Sequence, residues 1–156
     1  MTAVHRVFGI DLELVSERAR LCMVFQRIGL IPDMGAYYTL PRVVGLQRAK
    51  ELIFSAREID AAEAQRIGVA MEVVPADGLL ARAHAIARSF AGASPVAMSI
   101  SKRALQSSLG SDLPTLLEIE AAGQALASSS DYAKEAVRRF AAREPAQFHW
   151  PAPSAG

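Results

Sequence analysis

Apolar positions change their period along this chain, and the change divides it. Leu12, Leu14 and Val15 are interspersed with Asp11 and Glu13, which predicts a strand, and the apolar run 21–25 predicts a second, buried one. Ser16-Glu17-Arg18-Ala19 reads as the polar connection between them, and Ala3, Val4, Val7 and Phe8 have the spacing of a short helix closed by Gly9. Beyond residue 33 the period is mostly helical. Pro41 suits a first helical position, and Leu46, Ala49, Leu52 and Ile53 form an apolar stripe behind Gly45. Asp60-Ala61-Ala62-Glu63 has the pattern of a capping box, with a helix that Gly68 ends and a short strand over 69–74. Four more helices follow. The first places Leu79, Leu80, Ala83, Ile86, Ala87 and Phe90 on one face, with Arg82, His84 and Arg88 elsewhere. The next opens at Ser94-Pro95, turns Val96, Ile100, Ala104 and Leu105 inward and closes at Gly110. Another starts at Asp112 and Pro114, and the last at Ser130-Asp131 with Ala136, Val137 and Phe140 as its apolar stripe.

Where the two periods meet lies Arg27-Ile28-Gly29-Leu30-Ile31-Pro32-Asp33-Met34-Gly35. Pro32 denies Ile31 a helical conformation, so the chain stays extended up to the proline and turns after it. Asp33 then has two readings. It can cap a helix that begins behind it, accepting backbone N–H bonds. It can also be a carboxylate held among Ile31, Met34, Tyr37 and Tyr38, a setting that raises a pKa and lets the group carry protons.

Composition narrows the class. The chain has 156 residues, is 51% hydrophobic, and mixes basic and acidic residues to a net charge of +1, so it carries no electrostatic footprint for nucleic acid. No run approaches the roughly twenty apolar residues of a membrane span, and the first residues lack the pattern of an export signal. One cysteine, Cys22, falls in an apolar run and fits a reduced thiol in a cytoplasmic protein. The proline-rich end, 149–156, is expected to be a flexible tail. His149 has no assigned role.

The run SERARLCMVFQRIGLIPDMGAYYTLPRVVG, continuing through LQRAKELIFSAREIDAAEAQRIGVAMEVVP, resembles the enoyl-CoA hydratase/isomerase (crotonase) superfamily. The resemblance implies an α/β fold: residues 1–75 as the remainder of a strand-strand-helix spiral carrying Asp33, then a helical oligomerisation region over 76–148. It also implies a homotrimer or hexamer, an acyl-CoA thioester as substrate, and no metal or other cofactor. SDYAKEAVRRFAAREPAQF is similar to the family's closing helix, which puts Phe140 and Phe148 near the CoA or a subunit boundary.

In that family two backbone N–H groups hold a thioester oxyanion while carboxylates move protons. The two carboxylates of family hydratases fall at His5 and Phe25 here, and a phenylalanine cannot transfer a proton. A second subset, of 3,2-enoyl-CoA and epoxyphenylacetyl-CoA isomerases, has an acid directly after Ile-Pro, which matches Asp33 as proton shuttle. The resemblance further places an oxyanion-hole donor at Thr2, without the family's glycines, and His5, Phe25, Tyr37 and Tyr38 along the substrate pocket. The resemblance covers only the second half of such a subunit, so isomerase activity is expected to be impaired unless another chain or a longer product supplies the first half. The alternatives are a catalytically inactive hydratase relative and a non-enzymatic assembly module, and a half spiral would expose Leu12, Leu14 and Leu30.

Overall fold

The computed structural model describes residues 12–152, and the helix expected over residues 1–9 lies outside them. Two compact units divide the described chain, with the boundary inside a helix, after His84. In the first unit β1 (Leu14–Ser16) pairs in parallel with β4 (Glu72–Val74), and β2 (Arg20–Cys22) pairs antiparallel with β3 (Glu58–Asp60). Residues Val24–Ile28 form a 3-10 helix rather than the tail of a buried strand. The strand stops at Cys22 because Phe25 turns into the core, where it is buried, and Gly29 ends the turn in a left-handed conformation.

Two helices follow the Asp33 turn, α1 (Ala36–Val44) and α2 (Leu46–Ser55), and Gly45 separates them as expected. Pro41 lies inside α1 instead of opening a helix. Asp60 caps α3 (Ala61–Arg66) as its sequence predicts, its Oδ1 accepting from the Glu63 N–H at 2.8 Å. Val15, Leu21, Met23, Phe25, Leu40, Leu52 and Ile59 build the core under these elements. Arg57 joins three of them, donating to Glu51 on α2 and to Glu63 on α3 from the edge of β3.

Helix α4 (Leu79–Ser89) departs from its periodicity. Arg82 is 6% exposed and Leu80 is 69% exposed, the reverse of the expected faces. The cause is Glu72 on β4, whose carboxylate accepts from Arg82 Nε at 3.0 Å and Nη2 at 2.9 Å. An arginine buried against a forked partner is stable where an unpaired one is not. His84 is exposed, as expected.

The second unit holds α5 (Pro95–Ser108), α6 (Leu113–Ser129) and α7 (Asp131–Ala141). Their caps follow the sequence: Ser94, Asp112 and Ser130 accept from the N–H groups of Ala97, Thr115 and Ala133. Their expected inward faces are not all covered. Leu105 is 72%, Val137 69% and Phe140 86% exposed, while Ile100 and Ala104 are half-buried. Near the end of the described chain Trp150 packs edge-on to Phe90 with ring centroids 5.9 Å apart. None of the helices among the described residues is long and apolar enough to cross a membrane.

Close approach makes Gly92 a sensitive position. A Cβ there would lie 2.7 Å from the Gln147 carbonyl oxygen, and Tyr132 donates its hydroxyl to the Gly92 carbonyl at 2.9 Å. Backbone cannot yield as a side chain can, so Gly92→Ala is expected to cost about 1–3 kcal/mol in chemical denaturation. An unchanged midpoint would mean that the 145–150 segment does not hold this contact in solution.

Acid should loosen both units. Hydrogen bonds from Arg138 and then Arg139 hold the Glu135 carboxyl down at about 2, against its ordinary 4.5. Arg57 lowers Glu51 and Glu63 in the same way. A carboxylate whose folded pKa is depressed contributes stability above its unfolded pKa, and that contribution disappears as pH falls through the folded value. The melting temperature is therefore expected to hold down to about pH 5 and to fall steadily toward pH 2. Arg138→Gln should flatten the part of that slope due to Glu135, which circular dichroism melts at each pH would detect.

Candidate active site

Asp33 opens a tight turn. The Ala36 N–H donates to the Asp33 carbonyl at 3.0 Å, and the two central residues, Met34 (φ 51°) and Gly35 (φ 78°), are both left-handed. That is the pattern of a type I′ turn, which favours Asn or Gly at its first central position. Gly35, which has no side chain to cap with, is the N-cap of α1. Asp33 is thus not the N-cap residue expected of it: it stands two residues ahead of Gly35, and the turn bond uses its backbone carbonyl.

Nor is Asp33 enclosed. It is exposed, as are the residues expected to bury it: Ile31 at 73%, Met34 at 72%, Tyr37 at 56% and Tyr38 at 55%. Leu30 and Ile28 extend this apolar surface at 57% and 61%. Pro32 and Ala36, at either side of the turn, are buried and anchor it to the core. The result is a carboxylate on a fixed turn, surrounded in sequence by apolar side chains that face solvent in this chain.

The remaining candidates are dispersed. Phe25 is buried in the core below the stretch that leads to Asp33. Tyr38 carries the Arg42 guanidinium on its ring at 3.4 Å from the centroid, and Arg42 Nη1 also donates to the Tyr38 carbonyl at 2.8 Å. The sequence reading overlooked Arg42, although its four-residue spacing from Tyr38 on a helix is the signal that would have found it. Thr2 and His5 lie outside the described residues. Phe140 and Phe148 belong to the second unit, the former exposed on α7 and the latter half-buried beside Gly92. Leu12 and Leu30 are exposed as a half spiral implies, and Leu14 is half-buried.

Known proteins resemble this chain in both sequence and fold. The sequence profile of the enoyl-CoA hydratase/isomerase family matches residues 7–151. A crystal structure of an enoyl-CoA hydratase/isomerase from Cupriavidus metallidurans superposes with a TM-score of 0.91 at 46% identity, over 96% of this chain and 57% of that one. Among curated relatives, the 1,2-epoxyphenylacetyl-CoA isomerase of Escherichia coli is 33% identical over 90% of this chain and 53% of its own length. Mitochondrial methylglutaconyl-CoA hydratase of Mus musculus is also 33% identical, over 88% of this chain and 45% of its own. The chain thus spans about half the length of the curated relatives it matches. Its strand pairs, the helices behind them and the helical second unit are a C-terminal portion of the crotonase fold, and the chain belongs to the enoyl-CoA hydratase/isomerase family.

Proposed function

We propose that this chain carries the proton-transfer half of an acyl-CoA isomerase site, with Asp33 moving a proton between C2 and C4 of an enoyl thioester. The observation that carries this reading is the pair Asp33 and Phe25. Asp33 is a carboxylate on a tight turn directly after Ile31-Pro32, while the position matching a hydratase carboxylate is a phenylalanine packed in the core. One carboxylate suffices for an allylic shift. It accepts the C2 proton, the electron pair moves into a dienolate, and the same group returns the proton at C4 as the double bond moves from C3–C4 to C2–C3. Two N–H donors would hold the enolate oxygen, and the resemblance puts one near Thr2. The reaction calls for no cofactor beyond the thioester substrate.

The family reading also supplies partners. Leu117, Leu126, Val137 and Phe140 leave apolar surface in the second unit, which supports assembly into a homotrimer or hexamer. Cys22 supports a cytoplasmic setting, its thiol buried and donating to the Ala56 carbonyl at 3.0 Å.

The deciding experiment offers the purified chain a 3-enoyl-CoA and follows the conjugated 2-enoyl-CoA by absorbance, with water addition to 2-enoyl-CoA assayed in parallel and mass measured by light scattering. Isomerisation without hydration, slower than a whole site would give because the chain carries half of one, is the expected result. Hydration that outpaces isomerisation, or no turnover of either thioester, would overturn the reading.

A further inference from the structure

The turn that carries Asp33 contains a residue whose type neither the turn nor packing explains. Among the described residues, Met34, Ala56 and Arg143 are the non-glycines with positive φ. Two of these serve helix ends. Ala56 closes α2, its N–H donating to the Leu52 carbonyl, and Arg143 follows α7 with its N–H on the Phe140 carbonyl. Met34 closes no helix. It occupies the first central position of the turn, where Asn or Gly is at ease and an unbranched apolar side chain is not. Its side chain is 72% exposed, so packing in this chain does not account for it either. Strained residues of this kind gather at functional sites, where the strain aims a group.

We propose that Met34 is a specificity-determining residue, meeting the acyl carbons beyond C4 and favouring longer apolar acyl groups. The inference rests on the isomerase reading, since it takes Asp33 as the group that spans C2 to C4. Met34 is joined to Asp33 by one peptide bond, so the substrate atoms next beyond those Asp33 serves are the ones its side chain can cover. A thioether chain suits that task because it adapts to extended acyl groups of varied shape. Tyr37, also exposed, follows in the first turn of α1, beside Tyr38 with the Arg42 guanidinium on its ring.

The test is calorimetric binding of butanoyl-CoA and octanoyl-CoA to the full chain and to Met34→Asn, with Met34→Leu as the apolar control. Asparagine is at home in a left-handed turn, so Met34→Asn should melt no lower than the parent. It should weaken octanoyl-CoA about tenfold while leaving butanoyl-CoA within about twofold, and Met34→Leu should preserve most of the preference. Equal losses for both thioesters, or none, would overturn the assignment while leaving the role of Asp33 intact. A change in assembly mass in Met34→Asn would also overturn it, by showing that Met34 serves a subunit contact. Failure of the parent chain to bind either thioester would overturn the isomerase reading together with this one.

Discussion

Asp33→Asn should reduce the double-bond shift at least about a hundredfold while leaving the fold unchanged, because a positioned proton carrier contributes about 10²–10⁴ in rate. The amide has nearly the volume of the carboxylate and cannot accept the C2 proton. Stability should be unaffected for a reason that only the structure supplies. Asp33 is exposed and is not the N-cap residue of α1, the turn bond to Ala36 uses its backbone carbonyl, and an asparagine amide oxygen can still accept a hydrogen bond. Rates with a 3-enoyl-CoA, read beside circular dichroism melts, separate the two effects. If turnover persisted at the parental rate, Asp33 would be a turn residue and the chemistry would lie elsewhere. If the melting temperature dropped by several degrees, the carboxylate would be holding structure and the loss of rate would carry no mechanistic weight.

Arg82→Ala is expected to have the largest effect on stability, about 3–5 kcal/mol. The Arg82 side chain is 5% exposed and its partner Glu72 17%, so removing the guanidinium leaves a carboxylate largely out of water with its forked partner gone. Much of the cost is that orphaned charge rather than the lost attraction. The double variant Arg82→Met with Glu72→Leu should therefore be markedly more stable than Arg82→Ala, since two apolar side chains of similar bulk need no partner. Denaturant titrations of the single and double variants decide the matter. Equal losses in both would show that the contact of β4 with α4 depends on shape and not on charge. A loss below about 1 kcal/mol for Arg82→Ala would mean that water reaches the pair in solution.

Local signals in the sequence settled the elements that depend on neighbours along the chain. Asp60, Ser94, Asp112 and Ser130 were legible as helix caps because a cap joins groups only three residues apart. Gly45 was legible for the same reason. The family, too, was legible, carried by the Ile-Gly-Leu-Ile-Pro-Asp run and the segment behind it.

What the sequence left undecided were features set by contacts distant in sequence. Periodicity put Arg82 outside, since it records apolarity and cannot register that Glu72 waits ten residues away on a strand. The run 21–25 looked like one strand because β and 3-10 backbones bury the same apolar residues, and only the placement of Phe25 in the core distinguishes them. Ile31, Tyr37, Tyr38, Val137 and Phe140 carry the sequence signature of buried residues and are exposed in this chain. Apolarity along a sequence states that a side chain will be covered. Which surface covers it is a property of the tertiary structure, because burial is an agreement between two surfaces and the sequence pattern describes one.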